Sequence, residues 1–196
     1  MTRQPVATYP AERDDIGQLV TRRPLPNRQI GQIGPFLFLN HHGPQTYPPG
    51  NSGLPFGPHP HRGFETVTFI LEGSLSHLDT GGHESVIHAG GVQWMTAGSG
   101  VVHEEFHSKN FTGKGGTFEM VQLWVNLPKK HKMTKPRYQS MNKEDFPVVE
   151  LEKGKLKVVA GDYEGHKGPA QTFTPINIYE VFSEGDQTLN FKLPEN

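Results

Sequence analysis

The chain contains no cysteine, and that absence removes several chemistries at once. Disulfides, thiolate nucleophiles, iron–sulfur clusters and cysteine-ligated zinc are excluded, so any metal must be held by histidine and carboxylate. A charge excess of either sign is also lacking: 20 acidic side chains stand against 19 basic ones, with 11 histidines. No global field points to nucleic acid or to an anionic membrane, and neither is expected as a partner. The basic run Lys129-Lys130-His131-Lys132 reads as a solvated loop. No window reaches the ~20 apolar residues of a membrane span. Met1-Thr2-Arg3-Gln4-Pro5 lacks the apolar stretch of a signal peptide, so a cytoplasmic protein is the expectation.

Long helical periods are missing as well. With 23 glycines and 17 prolines the chain is punctuated too often for them. Between these breakers lie strand-length runs: Phe36–Leu39, Thr66–Leu71, Val92–Met95, Met120–Val125 and Leu156–Ala160. They are rich in aromatic and β-branched residues and carry no 3.6 repeat, which predicts an all-β sandwich or barrel. The one helix-like segment is Asn142–Phe146. The pattern turns polar from residue 136 to 154, and strand alternation resumes at Lys155. The expected organisation is a domain over 1–135, a linker over 136–154 and a tail over 155–196. So short a tail is too small for an independent β domain.

What the chain does have is paired histidine. In Gly57-Pro58-His59-Pro60-His61-Arg62-Gly63-Phe64-Glu65 two imidazoles stand at i and i+2, and Pro60 favours extension of its neighbour. On a strand such residues share a face. Read alone, the pair is more readily taken as exposed turn histidines. Downstream, in Gly98-Ser99-Gly100-Val101-Val102-His103-Glu104-Glu105-Phe106, His103 and Glu105 repeat the spacing, and the same parity turns Glu104 outward. Two adjacent antiparallel strands would bring His59, His61, His103 and Glu105 to one point. Three imidazoles and one carboxylate suit a single Fe(II), Ni, Mn, Cu or Zn ion with open positions. Glu65, four residues after His61, could be a further ligand, though orienting a ligand imidazole is the preferred reading. His107 is expected to be carried past the metal by strand rise. His41, His42, His77, His83, His88, His131 and His166 are expected in loops or at the surface. Phe36, Phe38, Phe56, Trp94 and Met95 are candidate pocket walls, with core packing the expectation for most.

The blocks "PHPHRGFETVTFILEG", "VQWMTAGSGVVHEE" and "QLWVNLP", with "GPFLFLNHHGP" upstream, closely resemble the pirin family of cupins over about Ile16 to Pro128. The resemblance implies a jelly-roll cupin barrel, with His59, His61, His103 and Glu105 matching ligands usually described as holding iron. Against the general cupin pattern, Gly98 stands where proline is usual and His107 where asparagine is. Pirins carry two cupin domains, and "TPINIYEVFSEGDQT" resembles the opening strands of the second. By the same resemblance the expected activity is that of a quercetin 2,3-dioxygenase, opening the central ring of a flavonol with O2, with Glu105 as the base for the 3-hydroxyl. The alternative is an iron-dependent redox sensor or transcriptional co-regulator that binds partner proteins. A protein partner or a homo-oligomer is compatible with either.

Overall fold

The structure, a computed structural model, describes residues 7–192. Its strands are β1 (Glu12–Arg13), β2 (Thr21–Leu25), β3 (Phe36–Tyr47), β4 (His59–His61), β5 (Phe64–Glu72), β6 (Ser74–Asp79), β7 (Glu84–His88), β8 (Val92–Thr96), β9 (Val101–His107), β10 (Gly116–Asn126), β11 (Arg137–Met141), β12 (Val148–Leu151), β13 (Gly154–Ala160), β14 (Asp162–Tyr163), β15 (His166–Lys167) and β16 (Ile178–Ser183). One short helix, α1 (Lys109–Lys114), follows β9. The all-β expectation holds. The chain divides into two compact units between Ser140 and Met141.

The first unit contains two sheets. Seven strands run in the order β1-β2-β3-β10-β5-β8-β11, and four in the order β4-β9-β6-β7. Apolar side chains from both meet in one cluster: Ile70, Leu75, Ile87, Phe118 and Met120, closed by Phe111 of α1. Burying each contributes about 2 kcal/mol. β8 is buried at every position, which is why Val92–Met95 reads as an unbroken run. β9 instead alternates buried and less buried residues along its length, so Val101, His103, Glu105 and His107 point inward and Val102 and Phe106 outward. The chain passes between the sheets at Gly73, whose φ is +85°. A Cβ there would meet Phe118 and Phe111 within 3.0 Å, so only glycine fits both the turn and the core.

Helix α1 was not foreseen. It is one turn and a half, contains Gly113, and depends on Ser108, whose hydroxyl accepts from the Phe111 amide at 3.2 Å. The helix-like Asn142–Phe146 forms a 3-10 turn over Lys143–Asp145, closed by a capping box between Asn142 and Asp145. Residues 136–154, expected as a linker, hold β11, this turn and β12. Within this polar stretch Met141 and Phe146 are buried, and a bare polarity count hides such anchors.

The second unit carries the three-stranded sheet β12-β13-β16 and the ribbon β14-β15. Leu156, Val158 and Tyr163 form its core. Lys157, buried on β13, meets Glu180 at 2.7 Å and lies 4.5 Å from the Phe146 ring.

Candidate metal centre

Strands β4 and β9 pair antiparallel with His59 opposite His103 and His61 opposite Val101. Directly opposed residues have Cβ atoms about 5 Å apart. The three rings accordingly lie together, with centroid separations of 4.5 Å for His59–His103, 4.9 Å for His61–His103 and 4.8 Å for His59–His61. Nε2 of His59 and Nε2 of His103 face each other at 3.1 Å. Two neighbouring ligands each about 2.1 Å from one ion stand about 3.0–3.4 Å apart, so this spacing suits shared coordination. One ligand atom from each of the three histidines lies within 4.8 Å of the others; among the described residues this is the group that could hold an ion.

The tautomers agree with that role. The Nδ1–H of His59 donates to the Gly57 carbonyl at 2.8 Å, which leaves the Nε2 lone pair directed at the cluster. Burial, with the neighbouring imidazoles acting in the same direction, lowers His61 to about 4 and His103 to about 2. Both are neutral near pH 7 and present lone pairs rather than protons to a cation.

Glu105 faces the same interior but is fully buried beyond His103. Thr68 donates to Oε1 at 3.2 Å, Gln122 donates to Oε2 at 2.8 Å, and the Gln93 amide also donates to Oε1. The Tyr138 hydroxyl donates to Gln93 Oε1 at 2.9 Å. Burial raises the Glu105 pKa against these hydrogen bonds and the nearby His59. Its carboxylate is not part of the three-imidazole group.

Several expectations change. Glu65 does not orient an imidazole: Thr96 donates to its Oε1 at 2.6 Å. The chain bends at Gly63, with φ +77°, and the parity carried from His61 is lost there. His42 and His77 are buried in strands rather than exposed. His42 meets the Thr21 hydroxyl at 2.8 Å, and His77 meets Asp79 Oδ2 at 3.2 Å. His107 is carried past the three histidines, as its position predicts, and bonds Asn51 Oδ1 at 2.8 Å. Trp94 and Met95 are core residues. Phe38 stacks at 4.4 Å on Trp124, and Trp124 lies 5.2 Å from His61 and 4.7 Å from Phe64. This half-buried aromatic shelf borders the histidines. Thr68, Gln93, Gln122 and Tyr138 were missed. For the first three the signal is a polar residue at an inward position within an otherwise apolar strand run.

Gly98, the departure from proline, also has a cause. Its φ is +49°, and a Cβ would come within 2.1 Å of the Thr134 carbonyl. No proline or other L side chain fits there without displacing that segment.

The buried imidazoles predict an acid-sensitive fold. His42 and His107 are lowered to about 4 by desolvation first, from 6.5 in the unfolded chain, alongside His61 and His103. As pH falls below 6.5 the unfolded chain takes up protons that the folded one refuses. Stability present above 6.5 is thus lost towards pH 4, by about 1.4 kcal/mol per pH unit for each histidine. Glu65 and Glu105, raised by burial, act oppositely and offset part of this loss. With these four histidines and His77, also lowered first by desolvation, against the two raised carboxyls, urea midpoints of metal-free protein are expected to fall between pH 6.5 and 4.5. Midpoints that hold level or rise would refute the balance.

Two facing antiparallel sheets around one core, with histidines converging inside, define a jelly-roll cupin barrel with a candidate metal site. The pirin family profile matches residues 18–125, and the chain belongs to the pirin family. A Pseudomonas aeruginosa protein with the provisional name quercetin 2,3-dioxygenase is 48% identical over 169 residues, covering 85% of this chain and 59% of its own length. Pirin-like protein 2 of Arabidopsis thaliana is 37% identical over 177 residues, covering 90% of this chain and 51% of its own. The crystal structure of an Acinetobacter baumannii quercetin 2,3-dioxygenase superposes with a TM-score of 0.79 at 42% identity, over 87% of this chain and 61% of that one. The chain spans little more than half the length of these relatives. Among the described residues no helix is long and apolar enough to cross a membrane.

Proposed function

We propose that this chain carries the catalytic centre of a cytoplasmic dioxygenase that opens the central ring of a flavonol such as quercetin with O2. One divalent transition ion, Fe(II) before Ni, Mn, Cu or Zn, would be held by His59, His61 and His103, with Glu105 as the carboxylate member of the set. The observation that carries this reading is the 3.1 Å approach of two imidazole Nε2 atoms, with a ligand atom of the third imidazole within 4.8 Å of both. The names of the relatives support the substrate class. By the same reading, residues 155–196 are the opening strands of a second cupin domain.

Such an ion, when bound, supplies Lewis acidity and a meeting place for substrate and O2. The protein's own groups do the rest. Trp124, with Phe38 and Phe64 packed on it, forms an apolar aromatic wall beside His61 against which a flavonol's rings would pack. Glu105, with its pKa raised by burial, is a stronger base than an ordinary carboxylate and would take the proton of the 3-hydroxyl. Thr68, Gln93 and Gln122 hold that carboxylate in one orientation. Iron-loaded protein given quercetin in air should bleach the flavonol absorbance with matching O2 uptake. No bleaching at full metal occupancy would rule out flavonol as substrate.

One observation favours a regulatory output instead. Leu78, Val86, Val102 and Phe106 are exposed apolar residues on the four-stranded sheet that carries His103 and Glu105. A partner protein bound there in only one iron oxidation state would support that reading.

A further inference from the structure

The ring nitrogen of His103 that faces away from His59 has its own partner. Its Nδ1 lies 3.5 Å from Nδ1 of His77, at the long end of hydrogen bonding, and Nε2 of His77 lies 3.2 Å from Oδ2 of Asp79. The side chains of His77 and Asp79 are 0% and 2% exposed. Asp79 is anchored in turn: its Oδ1 accepts from the Gly81 amide at 2.7 Å and the His83 amide at 3.1 Å, and from His83 Nδ1 at 3.0 Å. The ring of His77 stacks on Tyr138 at 4.2 Å and 18°. A buried polar array of this kind, held on every side, has one hydrogen-bonding pattern that satisfies it.

Register explains how the array forms. β9 lies between β4 and β6, with His103 opposite His59 on one side and Asp79 on the other. His77 stands opposite Glu105, one diagonal step from His103. β6 therefore faces the imidazole cluster from the side that β4 leaves open.

We infer that Asp79 and His77 form a positioning pair for the metal centre, aligning His103 through its Nδ1. The inference rests on the reading of His59, His61 and His103 as ligands of one ion. If His103 coordinates through Nε2, its proton sits on Nδ1 and needs an acceptor. His77 Nδ1 can accept only while the His77 proton is on Nε2, and the Asp79 carboxylate holds it there. The order is carboxylate, imidazole, ligand imidazole, metal. It orients the ring and makes the ligand nitrogen more basic. On the other side Gly57 does the same for His59 with a backbone carbonyl.

The test is a nickel(II) competition titration against a coloured chelator, on the whole protein, with the visible spectrum of the cobalt(II)-substituted form as second readout. Asp79→Asn is nearly isosteric. Its Oδ1 keeps accepting from Gly81 and His83, but the new amide cannot accept the His77 proton, which then moves to Nδ1 and opposes the proton on His103. His77→Phe keeps the ring on Tyr138 and removes both nitrogens. Each is expected to weaken nickel binding by about 10–100-fold and to shift the cobalt spectrum. The double variant should be no weaker than His77→Phe, because the two act as one unit. His77→Gln, which can still accept and donate, should recover part of the affinity. Wild-type affinity and spectrum in Asp79→Asn would overturn the inference while leaving the metal site standing. Failure of the wild-type protein itself to bind nickel would overturn the metal reading and this inference with it.

Discussion

Replacing His59 and His61 together by alanine is expected to leave a folded protein that no longer retains its metal. Both residues are half-buried at the edge of the four-stranded sheet and contribute nothing to the apolar cluster between the sheets. On the proposed reading of three imidazoles and Glu105 around one ion, a binding free energy of about 10–16 kcal/mol makes each ligand worth about 3 kcal/mol. Losing two costs about 6 kcal/mol, about four orders of magnitude in affinity. Elemental analysis after purification reads the loss directly, and circular dichroism shows that the barrel persists. Metal content equal to wild type would remove the two histidines from the site. Turnover should vanish in parallel, and it should not return on adding excess iron.

Glu105→Gln is expected to separate binding from chemistry. Three imidazoles remain, so metal affinity should fall far less than in the double-histidine variant. The barrel tolerates the change because Gln122 can turn its amide: its Oε1 receives only a long 3.4 Å bond from Trp124, whereas Gln93 is tied by the Tyr138 hydroxyl at 2.9 Å. Turning it also gives up the long 3.4 Å bonds to Thr68 and from Trp124, so the rearrangement costs about 1–2 kcal/mol of stability. An amide cannot take the flavonol proton, so kcat should drop by about 10²–10⁴-fold, the range supplied by a placed general base. The measurement is quercetin turnover normalised to bound metal. Turnover near wild type at equal occupancy would exclude Glu105 as the base.

Much of the site was legible because strand geometry is simple. The i and i+2 spacing of His59 and His61, repeated in His103 and Glu105, needs only alternation to share a face. The observed pattern of β9 is that alternation, with Glu104 less buried than either neighbour. What parity could not carry across was a bend. Glu65 was assigned to the wrong partners because Gly63 turns the chain between β4 and β5. His77 and Asp79 were invisible for a related reason. Nothing local marks a histidine as buried when its cover comes from β9 on one side and from Tyr138, more than sixty residues away, on the other.

Fold class and candidate donors were both readable in the primary sequence. Strand-length runs between breakers indicate an all-β chain, and missing cysteines with paired histidines limit any metal site to imidazole and carboxylate donors, because donor type and side-chain alternation are local properties. Only the tertiary structure decided which strand lies beside β9. That choice seats His77 and Asp79 behind His103, and Thr68, Gln93 and Gln122 around Glu105. Strand order is fixed by long-range pairing and by the burial of a shared core, energies to which residues distant in the chain contribute together.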